Sequence, residues 1–189
     1  LQWKNERQGK TAILVEGARR VGKSTLVEEF AKCEYKSYIL IDFNNALKSI
    51  VALFEELPNL NMLFAVLQNT YNVQLFERNS VIVFDEVQKC PMARQAIKYL
   101  VADGRYDYIE TGSLISIRKN VQNITIPSEE ERITMHPMDY EEFRWALSDN
   151  VSVSLLYQAY SQKMPLGSAH RQKMRELRLY MLVGGMPQA

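Results

Sequence analysis

Gly17-Ala18-Arg19-Arg20-Val21-Gly22-Lys23-Ser24 is the stretch on which the reading of this chain turns. It fits Gly-x-x-x-x-Gly-Lys-Ser/Thr without deviation. Before it, residues 11–16 (TAILVE) form a short apolar run that reads as a buried strand. After it, residues 23–32 read as a helix with Leu26, Val27 and Phe30 as its apolar stripe. Strand, glycine-bounded turn and helix are the setting in which a loop wraps a phosphate. Backbone N–H groups face the anion, glycines let the chain approach it, and the helix N-terminus adds its positive dipole end. The lysine reaches phosphate oxygens as a mobile point charge, and the hydroxyl after it suits magnesium. The chain has only eight glycines, and two fall where the pattern needs them. The expected binding residues are Gly17, Ala18, Arg19, Arg20, Val21, Gly22, Lys23, Ser24 and Thr25. Within that set Arg19 and Arg20 read as solvated loop arginines rather than catalytic groups, and Thr25 as plain helix.

Working outward, residues 38–43 (YILIDF) are a second apolar run, and 81–84 (VIVF) a third that ends at Asp85-Glu86. A fourth strand over 106–110 leads into Thr111-Gly112-Ser113, and a fifth over 132–136 stops at Pro137. Helices are expected over 45–56 and 60–76, separated by Pro58, and from Pro91, tolerated in a first turn, to about residue 102. Phe54, Phe64, Tyr71 and Phe76 fall on these helices as core fillers. Strands apolar on both faces, alternating with helices, argue for a parallel sheet covered on both sides. The expected fold is a three-layer α/β core of about five strands over residues 1–137. From 138 to 189 the texture is helical, with helices over 139–147, 152–162 and 169–183 and a turn at Gly167-Ser168.

An aspartate ending a buried strand can sit beside magnesium, usually through water, and an adjacent glutamate can polarise an attacking water. Asp85 and Glu86 fit those two roles; read alone they are also two surface acids after a strand. A phosphate loop needs a second strand to complete its metal shell, which favours the first reading. With their strand beside the first, the hydroxyls of Thr111-Gly112-Ser113 would lie near the γ-phosphate and could orient water or sense it, or the serine could simply cap a turn. Grouping Asp85, Glu86 and Ser113 around one phosphate puts the first strand at the centre, between the strands ending at Asp85 and Ser113. No Asn-Lys-x-Asp run that would read a guanine base occurs. ATP with Mg2+ is therefore the expected ligand pair, with Lys23, Glu86 and Ser113 as catalytic candidates and Ser24 and Asp85 holding the metal.

Lys plus Arg is 23 and Asp plus Glu is 22, a net charge of +1 over 189 residues. That balance gives no electrostatic footprint for nucleic acid or an anionic membrane. Arg171, Lys173, Arg175 and Arg178 could form a basic helical face for nucleic acid, or simply a solvated one. Cys33 and Cys90 lack metal-site spacing and read as two idle thiols in a reducing compartment; His136 and His170 are isolated. With no apolar run of membrane-spanning length and no leader pattern, a cytoplasmic location is expected. Leu1 and the closing Gly184-Gly185-Met186-Pro187 suggest a piece of a longer protein.

The blocks GARRVGKSTL, VIVFDEVQKCP, YIETGSLIS, ERITMHPMDYEEF and YMLVGGMP together resemble a known family. They are similar to the prokaryotic AAA-superfamily ATP-binding proteins that join an ATPase core to a C-terminal domain of unknown function. The resemblance implies phosphate and magnesium binding by Lys23 and Ser24, metal-linked and catalytic roles for Asp85 and Glu86, and a sensor role for Ser113. It also singles out Arg132, although the family usually carries glycine where this chain has Glu131. Arg132 reads either as a γ-phosphate or trans-acting group or as a surface arginine paired with the acids at 129–131. Arg19, Arg20 and Arg144 are further trans candidates. Two functions remain open: a remodelling ATPase working on a partner or as an assembly, and a slow-turnover nucleotide-gated switch.

Overall fold

The structure, a computed structural model, describes residues 1–56, 59–113 and 128–187; the expected break at Pro58 lies outside them. The chain divides into two compact units. One holds Leu1–Arg19 and Lys23–Met135, the other Arg20–Gly22 and His136–Ala189.

The first unit runs α1 (Gln2–Arg7), β1 (Ala12–Gly17), α2 (Lys23–Glu34), β2 (Ser37–Asp42), α3 (Lys48–Glu56), α4 (Leu60–Tyr71), β3 (Ser80–Asp85), α5 (Pro91–Asp103), β4 (Asp107–Ser113) and β5 (Glu130–Met135). A 3-10 turn at Val87–Lys89 precedes α5. The five strands pair in parallel in the order β2-β3-β4-β1-β5. This is the expected three-layer parallel fold. Alternate residues of each strand serve opposite faces, as a two-sided sheet requires. Ile13, Val15, Val81, Val83 and Ile109 pack with Val27 and Ala31 of α2. Leu14, Ile41, Ile82, Phe84 and Tyr108 pack with α3, α4 and α5 through Phe54, Phe64, Ile97 and Leu100.

The strand order corrects the expected one. The first strand does not lie between those ending at Asp85 and Ser113; β4 lies between β1 and β3. The reason is that β4 is a full seven-residue strand, buried throughout, able to bond a neighbour on both sides. The expected apolar stripe of α2 also shifts. Lys23, Val27 and Ala31, four residues apart, are buried, whereas Leu26 is 52% exposed. The sheet-facing side of α2 is thus the Val27–Ala31 row, with Phe30 partly buried beside it and Leu26 turned outward. The helix expected over 60–76 ends at Tyr71, where Asn72 takes a left-handed cap conformation.

The second unit contains α6 (Tyr140–Ala146), α7 (Ser152–Ser161) and α8 (His170–Val183). Asp139 and Glu142 close a capping box at the start of α6. Tyr180 of α8 meets the ring of Tyr140 edge-on and that of Phe143 at a tilt, and donates its hydroxyl to the Met138 carbonyl. Met138 N–H bonds the Gly185 carbonyl at 2.8 Å, so close that a Cβ on Gly185 would lie 2.1 Å from the Met138 oxygen. That approach explains the second glycine of Gly184-Gly185. Arg144 is buried in an ion cluster with Asp149 and Glu176, so its guanidinium is not available for a trans role. Lys173 bonds Ser152 and Glu176, which removes it from the expected basic face of α8.

Candidate functional site

The parallel sheet brings the ends of β1, β3 and β4 to one edge. Gly17 ends β1 and lies opposite Ser113, the last residue of β4, while Asp85 ends β3 beside Asp42. Phe84 anchors Asp85 from below. Its ring meets Phe54 at 5.4 Å and 82°, Phe43 at 5.8 Å and Tyr108 at 6.4 Å. Truncating a ring packed this way costs about 3–5 kcal/mol. The strand end that presents the acid is thus fixed by aromatic packing.

Between Gly17 and Lys23 the backbone takes positive φ at Arg20 (64°) and Gly22 (101°). Arg20 pays the small side-chain penalty of that region; Gly22 carries none. Lys23 sits on the buried stripe of α2 and curls back, its Nζ donating to the carbonyls of Ala18 at 2.8 Å and Gly17 at 3.3 Å. Burial lowers its pKa from the ordinary lysine value. Glu86 and Asp85 oppose that shift and Arg19 adds to it. Ser24 Oγ donates to Asp85 Oδ1 at 2.7 Å, across 61 residues of sequence. The residues Gly17, Ala18, Lys23, Ser24, Asp85 and Glu86 therefore share one cluster in the first unit. Ala18, Arg19 and Arg20 are exposed, Val21 is buried and Thr25 is exposed.

Glu86 follows the strand in left-handed conformation, φ 55° and ψ 45°, unusual for a residue with a Cβ. Such strain costs on the order of 1–3 kcal/mol and persists where surrounding bonds hold it. Its carboxylate accepts from the Gln88 amide, and its N–H donates to Thr111 Oγ1 at 3.1 Å. Thr111 Oγ1 donates in turn to Asp85 Oδ1.

Sequence reasoning expected the Thr111 hydroxyl near a phosphate and missed its bonds to Asp85 and Glu86. The signal was present in the β3–β4 register, where Phe84 faces Glu110, so that Asp85 and Thr111 are the next pair along. Placing β1 between those strands concealed it. Arg132 lies on β5 opposite Leu14, three residues short of the pair Gly17–Met135. Its Nε bonds Glu130 at 3.0 Å, and Glu130 is also gripped by the buried Arg94. The structure does not bring Arg132 into the Lys23–Asp85 cluster.

Among the described residues no group of three or more His, Cys, Asp or Glu could hold a metal, and no helix is long and apolar enough to cross a membrane. What the cluster offers instead is one carboxylate and one hydroxyl, hard oxygen donors that suit magnesium with water and phosphate completing its shell.

The AAA domain family matches residues 9–144. The chain belongs to that family and so, at family level, to the ATP-binding ATPases. No curated protein matches it. Among solved structures it is similar to a structure of PCH-2 from C. elegans, at 12% identity and a TM-score of 0.40. The match covers 85% of this chain and 42% of that one, so the chain spans less than half the length of that relative.

Proposed function

We propose that this chain binds ATP with magnesium on the loop from Gly17 to Ser24 and hydrolyses the nucleotide to change the conformation of a partner or assembly. The observation that supports it most is the 2.7 Å bond from Ser24 to Asp85, which joins the loop to the acidic strand. A hydroxyl has one proton and two lone pairs, so with its proton on Asp85 Ser24 still has lone pairs for a cation. Magnesium, when bound, neutralises charge on the phosphate oxygens. Lys23 exchanges the Gly17 and Ala18 carbonyls for phosphate oxygens, a charge-assisted contact in place of two neutral ones. Glu86 accepts the proton of the attacking water. Ser113, opposite Gly17, orients that water.

A second reading, a slow nucleotide-gated switch, draws on the contact between the Glu86 carboxylate and Gln88. A base already engaged by an amide must change partner before it meets water. Arg19 of the loop acts electrostatically on Lys23, and Arg132 is bonded to Glu130 instead of the Lys23–Asp85 cluster. An arginine on the transferring phosphate is worth ~10³–10⁵ in rate. Efficient turnover then calls on a neighbouring copy or a further domain, with Arg132 the first trans candidate. The resemblance of the five sequence blocks further supports a prokaryotic protein with an added C-terminal domain, and a protein partner in the cytoplasm is part of the same proposal. The exposed Arg171, Arg175 and Arg178 leave nucleic acid as a weaker alternative partner.

Phosphate release by wild type and Glu86→Gln across a protein dilution series tests the reading. The expected result is release by wild type, falling per chain on dilution, and loss of release in Glu86→Gln with nucleotide binding retained. Turnover by Glu86→Gln at the wild-type rate contradicts the assignment of the base, and constant activity per chain contradicts the assembly.

A further inference from the structure

The Thr111 hydroxyl joins the two acids that the hydrolysis reading separates by role. Thr111 is fully buried on β4, the strand between β1 and β3. A carboxylate only accepts hydrogen bonds and a backbone N–H only donates. The direction of both contacts is therefore fixed: Thr111 gives its single proton to Asp85 Oδ1 and receives the Glu86 N–H on a lone pair. One hydroxyl satisfies both at once. Ser24 donates to the same Asp85 oxygen, so the loop hydroxyl and the β4 hydroxyl converge on a single atom.

From this geometry we infer that Thr111 is a positioning residue, which sets the orientation of Asp85 and the left-handed backbone of Glu86 as one unit. The inference rests on the hydrolysis reading above. Three features of the site make it specific. Glu86 is held at positive φ by bonds at both its N–H, to Thr111, and its carbonyl, which accepts from Lys89 N–H at 2.9 Å. A threonine on a strand is stiff at χ1, so its hydroxyl direction is set by the backbone of β4 and not by solvent. And β4 is the strand that also carries Ser113 to the phosphate-loop edge, so one rigid element references the acids to Gly17. Without the hydroxyl, Asp85 loses one of two donors and the Glu86 N–H is left beside an apolar group. Glu86 then relaxes from the strained region, and its carboxylate moves with the backbone.

Such a misplacement acts on the chemical step more than on nucleotide binding, because Lys23, Ser24 and the loop backbone keep their own contacts. A displacement of about 1 Å at a reacting group costs ~10²-fold in rate. Thr111→Val keeps shape and β-branching and removes only the hydroxyl; Thr111→Ser restores the hydroxyl without the methyl. The test compares wild type and both variants in three measurements: amide hydrogen exchange at Glu86 in the ligand-free chain, affinity for a non-hydrolysable ATP analogue with Mg2+, and the rate of phosphate release. The expected result for Thr111→Val is faster exchange at Glu86, by ~10-fold for one lost hydrogen bond, analogue affinity within about twofold of wild type, and kcat lowered ~10–100-fold. Thr111→Ser is expected to recover exchange protection and most of kcat. Wild-type kcat and exchange in Thr111→Val overturn the inference alone. So does equal impairment of the two variants, or a loss of analogue affinity as large as the loss of kcat, which marks a merely structural role. A wild-type chain that neither binds the analogue nor releases phosphate overturns the hydrolysis reading and this inference with it.

Discussion

Asp85 receives two hydroxyl protons on one oxygen, from Ser24 and Thr111, and is 8% exposed at the end of β3. Both bonds fall on Oδ1, and the proposed role of Asp85 is to hold its charge beside a cation at Ser24. Asp85→Asn preserves size but removes the charge and substitutes donors where the site supplies donors already. The Mg2+ concentration needed for half-maximal nucleotide binding should rise ~10–100-fold in that variant, the usual effect of losing a residue that supports a metal ligand. An unchanged Mg2+ requirement would remove Asp85 from the metal's surroundings. At this scale the proximity of Ser24 and Asp85 was legible, because the loop pattern and the acid that ends an apolar strand were expected to meet, and they do. The partners of Thr111 were not legible, because they lie 25 and 26 residues away on β3, a strand the expected order does not place beside β4.

β4 carries the largest difference between expectation and structure at the scale of the element. Its expected end was Glu110, leading into Thr111-Gly112-Ser113; it runs to Ser113 with every residue buried. Arg94 on α5 lies 3.7 Å from the buried Glu110, and Glu130 on β5 takes the bidentate fork of the same guanidinium. Those partners come from two other elements, so no local pattern announces them. Burial, above all, and then the Glu130 charge hold the Glu110 carboxyl well above the usual carboxylate range; Arg94 and Arg132 oppose the shift. A carboxyl raised on folding stabilises the fold fully below its unfolded pKa of about 4.3, and that contribution is lost as pH rises through the folded value. Glu110→Gln removes the titration. Urea unfolding from pH 5 upward should show wild type losing stability relative to Glu110→Gln, with a limiting slope of about 1.4 kcal/mol per pH unit in that window. A difference between the two that is constant with pH would mean that Glu110 is ionised throughout.

Across the whole molecule, the alternation of apolar runs with helices was enough to read a parallel five-stranded sheet, and the change of texture after residue 137 was enough to read a helical continuation. Strand order was not, because it depends on which edges β4 can pair with, a non-local property that a string of residues does not display. α1 went unread for a related reason: none of its six residues is buried, so it carries no apolar stripe. The sheet nevertheless delivers Gly17, Lys23, Ser24, Asp85 and Glu86 to one edge, and Lys23 is the only one of these that brings positive charge. The most direct measurement is an equilibrium titration of a fluorescent ATP analogue into wild type and Lys23→Ala, each with Mg2+ and with EDTA. Saturable binding by wild type that EDTA weakens, and binding by Lys23→Ala that is ~10–100-fold weaker, is the expected result; equal affinity in the two proteins would contradict nucleotide binding at this loop.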